Sequence, residues 1–267
     1  MSALFKLFGC PIYPYGLLLA LACLIVTSGS IVRAKKYRIR ADIIIALLAL
    51  SGCVGSIGAK ALYLMVSVPY EVMCEAVADS EWYQLLEESG QIFFGGALGG
   101  VLGFFLGIRV FRLKSQPCVR IVVPMVPLGH AIGRIGCLLA GCCYGKEYSG
   151  IGCITYRHAI GGAPVGISLF PVQAVEAAGN LLICLCLIWL DLLYKGRYLA
   201  TIYVAMYSVL RFNLEYQRGD AIRGTAFGLS TSQWISLVIL SCVVILWIAR
   251  LYLKRRNGNY GTVKENQ

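Results

Sequence analysis

The chain is divided by charged segments into apolar runs of about twenty residues each, a length matched to the hydrocarbon of a bilayer rather than to a small soluble core. Seven runs are read, at about residues 14–33, 41–67, 91–112, 120–140, 170–192, 198–216 and 229–252. Lipid offers no partner to a bare N–H or C=O, so each run must satisfy its own backbone as a helix. The expected fold is an all-α polytopic membrane protein, one membrane-embedded domain across residues 1–267. A mean hydropathy of +0.74 agrees with this and excludes an ordinary soluble enzyme. The first run lacks a basic leader and a small-residue cleavage site, so 14–33 is read as a retained span.

The net charge of +11 would suggest nucleic acid in a soluble protein. Here the basic residues crowd into short connections. Arg33, Lys35, Lys36, Arg38 and Arg40 follow the first span, and Arg109, Arg112, Lys114 and Arg120 bracket the turn after the third. Lys195 and Arg197 follow the fifth, and Lys254, Arg255 and Arg256 the last. Residues 68–90 instead hold Glu71, Glu75, Asp79, Glu81, Glu87 and Glu88 with no Lys or Arg. The positive-inside rule then predicts an outside N-terminus and a cytoplasmic C-terminus. Residues 68–90 and 141–169 become outer loops, and 254–267 a cytoplasmic tail, polar and disordered from Arg256 onward. Anionic lipid and topology account for the charge, and no nucleic-acid partner is expected.

Of twelve cysteines, Cys23, Cys53, Cys184, Cys186 and Cys242 fall inside apolar runs and read as small buried hydrophobes. Cys10, Cys74, Cys142, Cys143 and Cys153 lie toward the outer face, where a disulfide could form. With two histidines and no CxxC pair, no zinc site is expected. The third run carries Gly95, Gly99, Gly103 and Gly107 at intervals of four, with Gly96 and Gly100 alongside. Such a ridge lets helices cross closely, and the expected partner is the Gly-rich fourth span.

Charge inside the apolar runs is the functional signal, because a membrane arginine is costly and ordinarily faces a polar interior. His130 and Arg134 share one helix face, four residues apart, in a stretch that continues through Gly133, Gly136, Gly141, Cys142, Cys143 and Gly145. Arg211 and Glu215 repeat the spacing in the sixth span, with Arg218 and Asp220 following, and the fifth opens with Pro171, Gln173 and Glu176. The predicted topology puts these at similar depth in the outer half of three helices. Two forked guanidinium groups oriented by carboxylates suit a phosphate, and in the outer leaflet a phospholipid headgroup. A purely structural Arg–Glu network is the competing reading. His130 reads equally as an acid–base group or as a hydrogen-bonded interior histidine. Tyr15 offers a hydroxyl or an interfacial anchor. His158, in the outer loop, reads as exposed.

Gly133-Arg134-Ile-Gly136 with Gly141 and Gly145 resembles the signature of the prolipoprotein diacylglyceryl transferases, as do Tyr15-Gly16 and the Gly95-Gly96 pair. Pro171-x-Gln173-x-x-Glu176-Ala177 resembles the family's Pro-Ser-Gln-x-Tyr-Glu-Ala element. Arg211-Phe212-x-x-Glu215-x-x-Arg218-x-Asp220 and Leu229-Ser230-x-x-Gln233 resemble its last two helices. The ordered set spans nearly the whole chain. The resemblance implies transfer of a diacylglyceryl group from phosphatidylglycerol to the lipobox cysteine of a secreted preprotein, with glycerol phosphate leaving. It implies a bacterial inner-membrane enzyme acting at the outer leaflet, with no metal or diffusible cofactor. Arg134 and Arg211 are then the phosphate-handling residues, with Glu215 and His130 beside them as catalytic candidates. Tyr15, Gly95, Gly96, Gly133, Gly136, Gly145, Gln173, Glu176, Arg218 and Gln233 are the substrate-binding set.

Departures from the pattern mark a divergent branch. The family's His before the paired glycines is Phe94, its next two Asn positions are Cys137 and Ala140, and the Glu of its Asn-Gly-Glu stretch is Cys142. Phe170 and Val175 replace a His and a Tyr around Gln173. The arginines survive while the usual thiol-activating base does not. His130 is the candidate substitute. The rival readings are transfer to a different acceptor, or a non-catalytic protein that binds or transports phospholipid. A transporter favours two repeated halves, which the sequence does not show.

Overall fold

The computed structural model describes residues 5–7, 10–12, 14–69, 71–73, 83, 92–194, 196, 198–219 and 225–264. Cys74, Glu75, Asp79, Glu81, Glu87 and Glu88 of the expected acidic loop, together with Lys195, Arg197 and Asp220, lie outside the described residues. The protein is a multi-pass, all-α membrane protein. Among the described residues, six helical stretches are long and apolar enough to cross a bilayer. They are α1 (Pro14–Lys35), α2 (Ala41–Ser67), α3 (Phe93–Val110), the composite Ser115–Ala140, the part Val172–Leu193 of α6 (Val172–Tyr194) and the part Thr231–Leu253 of α8 (Thr231–Lys264).

The sixth expected run forms α7 (Leu199–Glu215), whose 17 residues are at the short limit for a hydrocarbon core of about 30 Å. The fourth span begins earlier than expected and is interrupted. Helix α4 (Ser115–Val122) passes through a 3₁₀ turn at Val123–Met125 into α5 (Val126–Ala140). Pro124 and Pro127 have no N–H to give, so a regular ladder cannot run through them. Helix α8 continues to Lys264, through the end that was expected to be disordered, since extending a formed helix needs no new nucleus.

Two compact units are present, Thr27–Ile121 and the residues on either side of it. In the first, the glycine ridge of α3 meets α2, not the fourth span to which composition assigned it. Gly95, Gly99, Gly103 and Gly107 are all buried. A Cβ on Gly99 would strike the Val54 carbonyl, and one on Gly95 the Gly58 carbonyl. Ser51 Oγ donates to the Gly100 carbonyl across the crossing at 2.7 Å. Lipid tails are as apolar as leucine, so this close backbone approach, with its hydrogen bond, stabilises the pair. Also in this unit, Arg33 donates through Nη2 to the Arg120 carbonyl at 2.8 Å.

The second unit is built on α5, α6, α7 and α8. Ile183, Leu187 and Leu199 form its fully apolar core, with Val123, Ile202, Tyr203 and Met206 against them. Three short antiparallel pairs, Phe5–Leu7 with Cys10–Ile12, Ile154–Thr155 with Ser168–Leu169, and Thr225–Ala226 with Leu229–Ser230, tie the ends and loops. Cys23, Cys53 and Cys242 are exposed on helix faces instead of buried within the protein, which leaves lipid to cover them; Cys184 is buried.

Candidate functional site

Glu176 is the centre of the site. It is fully buried on α6 and gathers groups from two neighbouring helices. From α5, Arg134 Nη2 approaches its Oε1 at 3.1 Å and His130 Nε2 lies 3.7 Å away. From α7, Tyr207 donates its hydroxyl to Oε1 at 3.2 Å, and Arg211 Nη1 lies 4.0 Å from Oε2. The expected i,i+4 pairs both form. Arg134 Nε–H donates to His130 Nε2 at 3.3 Å, and Arg211 Nη2 meets Glu215 Oε2 at 2.6 Å. The first bond makes His130 an acceptor, so its ring proton belongs on Nδ1. The His130 ring also packs on Tyr207, with centroids 4.9 Å apart.

Arg211 is held on its far side by Ser232 Oγ at 3.3 Å, from the first turn of α8. Its Nη1 is buried and has no hydrogen-bond partner among the described residues, nor does Glu176 Oε2. Arg218 is buried as well and close enough to repel Arg211 electrostatically. Among the described residues, three guanidinium groups therefore face two carboxylates, Glu176 and Glu215, an excess of one positive charge beside a neutral His130. A buried donor without an acceptor is costly, and an anion placed there would relieve it.

Other candidates have structural duties. Gln173 Nε2 donates to the Cys142 carbonyl at 2.8 Å and to the Tyr156 hydroxyl at 3.4 Å. Tyr156 in turn donates to the Leu138 carbonyl at 3.0 Å, and burial pushes its phenol pKa up. Gln233 closes a capping box at the start of α8: its Oε1 accepts the Ser230 N–H at 3.0 Å, and Ser230 Oγ accepts the Gln233 N–H at 3.3 Å. Gly145 pairs with Arg218 in an antiparallel bridge, and a Cβ on it would strike the Phe170 carbonyl. Gly136 makes room for the Tyr15 ring. Gly133 faces open space, so packing does not require it, and Gly95 and Gly96 serve the α2–α3 crossing. Phe94, which stands where the pattern it resembles has a His, is exposed, and so is His158. A cavity of about 550 Å³ lies along α6 and α7, lined by Gly179, Leu182, Ile183, Met206 and Leu210 among others.

Sequence reading missed Tyr207, Ser232 and Tyr156. Tyr207 carried a signal, four residues before Arg211 and hence on its face. Ser232 and Tyr156 carried none, because their contacts come from other elements.

The family described as prolipoprotein diacylglyceryl transferase matches residues 2–249. The chain is similar, at 32% identity over 265 residues, to phosphatidylglycerol–prolipoprotein diacylglyceryl transferase 2 of Clostridium perfringens, covering 95% of this chain and 97% of that protein. It is 34% identical over 239 residues to the corresponding transferase of Clostridium tetani (88% and 91% covered). It is 28% identical over 244 residues to that of Dehalococcoides mccartyi (89% and 88% covered).

Proposed function

The chain belongs to the prolipoprotein diacylglyceryl transferase family, and on that footing we propose that it moves the diacylglyceryl group of phosphatidylglycerol to the lipobox cysteine of a secreted prolipoprotein. The observation that carries this is the convergence of Arg134 and Arg211 on Glu176, with Arg211 Nη1 buried and making no hydrogen bond among the described residues.

In this reading the headgroup phosphate accepts from Arg211 Nη1 and from Arg134, while Glu176, Glu215 and Ser232 keep the two forks oriented. The acyl chains follow the apolar groove of α6 and α7. The acceptor sulfur, as thiolate, attacks the glyceryl carbon. The C–S bond forms, the C–O bond to phosphate breaks, and glycerol phosphate leaves with the electron pair. Guanidinium donors stabilise the charge that builds on the departing oxygen. His130 takes the thiol proton. Its Nε2 is released when Arg134 Nε turns from it to the phosphate, Nη2 staying on Glu176, and the resulting imidazolium faces Glu176. The site opens toward the outer leaflet of a bacterial inner membrane, with the N-terminus outside, as the charge distribution of the connections supports.

The test is transfer from radiolabelled phosphatidylglycerol to a lipobox peptide by the purified protein, with Arg134→Ala and Arg211→Ala in parallel. Label on the peptide, lost in both variants, is expected. Glycerol phosphate release only when cell-envelope extract is added would favour another acceptor, a reading to which the departures at Phe94, Cys137 and Cys142 lend weight. No turnover in either assay would sink the transferase reading.

A further inference from the structure

The end of α5 brings three thiols together. Gly141, at φ 70°, stops the helix in a Schellman motif: the Cys142 N–H donates to the Cys137 carbonyl at 3.1 Å and the Gly141 N–H to the Leu138 carbonyl at 3.3 Å. That motif sets the third residue from the helix end against the second residue beyond it, a contact usually filled by two apolar side chains. Here the pair is Cys137 and Cys142. Cys143 then turns back with φ 56°, a left-handed conformation that a residue with a Cβ seldom adopts and that marks a constrained position. The Sγ atoms of Cys137, Cys142 and Cys143 all lie within 4.8 Å of one another, each half-buried and none in a disulfide.

We propose that Cys137, Cys142 and Cys143 form a binding site for one thiophilic d¹⁰ metal ion of the zinc class. Zinc–thiolate bonds of about 2.3 Å put sulfurs about 3.8 Å apart in a tetrahedral site, so closure needs movements of only about 1 Å. Three thiolates on a divalent ion carry one net negative charge. Arg218, which interacts electrostatically with Cys143, and Arg134, which does so with Cys137 and Cys143, supply the compensating charge. The fourth coordination position is left to water or an incoming donor. The ion would clamp the end of α5, three residues beyond Arg134, to the loop at Cys142–Cys143, where Gln173 bonds the Cys142 carbonyl and Gly161 packs against Cys142. The proposal shares Arg134 with the transferase reading but is tested apart from it, by occupancy and not by turnover.

The experiment is equilibration of the reduced, full-length protein in detergent with zinc, followed by removal of free metal and elemental analysis. One equivalent per chain is expected in wild type and in Cys153→Ser. Loss is expected in the Cys137→Ser/Cys142→Ser/Cys143→Ser variant. In wild type alone, zinc should slow alkylation of these three cysteines by about tenfold or more, read peptide by peptide in a mass spectrometer and reversed by a chelator. This second measurement does not depend on the triple variant folding. Unprotected thiols, retention of zinc by the triple variant, or a disulfide between two of the three that persists under reductant would each overturn the proposal.

Discussion

Arg134 Nε lies 3.3 Å from His130 Nε2, so the only imidazole in the site is held, one helical turn away, as the acceptor of an arginine. The same guanidinium reaches Glu176 through Nη2 at 3.1 Å. One side chain thus orders two others, and a substrate that claims it changes the state of both.

Arg134→Lys keeps the charge and loses the fork. An ammonium cannot donate to His130 and Glu176 in the same planar geometry. Transfer should fall by about 10²-fold or more, the usual cost of one preorganised donor, while the protein still unfolds cooperatively. A variant turning over at the wild-type rate would remove Arg134 from the reaction.

His130→Gln separates the two roles left to the histidine. If the imidazole takes the acceptor's proton, kcat drops and its pH dependence flattens. If it only steadies Arg134, KM rises and the pH profile of kcat keeps its shape. The first result is expected; steady-state kinetics across a pH series decide.

Glu176→Gln leaves the arginines facing each other without their shared carboxylate. Breaking a buried ion pair from one side costs about 3–5 kcal/mol. Thermal unfolding in detergent should show a large drop in stability, partly restored by excess phosphatidylglycerol, whose phosphate substitutes for the lost charge. Unchanged stability would mean that Glu176 is not the hub.

Gly99 and Gly100 offer a matched pair. A Cβ on Gly99 meets the backbone of Val54 and Gly55, whereas one on Gly100 reaches nothing nearer than 3.8 Å. Gly99→Ala should destabilise by about 1–3 kcal/mol through overpacking. Gly100→Ala should fall within about 0.5 kcal/mol of wild type. Equal melting temperatures would contradict the crossing described for α2 and α3.

What could be read from the chain follows from range. Span lengths and the His130–Arg134 and Arg211–Glu215 pairs are set within one helix, so spacing reveals them. Glu176 could be named but not ranked, because its centrality depends on how α6 is rotated between α5 and α7. The glycine ridge announced a close crossing without naming its partner, which took the matching small residues Ser51, Gly55 and Gly58 of α2 to supply. Ser230-x-x-Gln233 is also a capping sequence, legible without a structure, beside the substrate contact expected of Gln233. Pro124 and Pro127 likewise announced the break in the fourth span. The thiol cluster lay hidden because its spacing matches no metal motif; it depends on the backbone reversal at Gly141.

The α2–α3 crossing has a consequence for how this sequence can drift. Where one helix backbone rests on another, no larger side chain fits, and a neighbour cannot mutate to make space because the obstacle is main chain. Lipid-facing positions one or two residues away, such as Leu98, Val101 and Leu102, meet no such limit. A saturation library across residues 93–110 should therefore show a four-residue beat of intolerance on a permissive background. That beat would be visible in survival counts alone, before any catalytic residue is assayed.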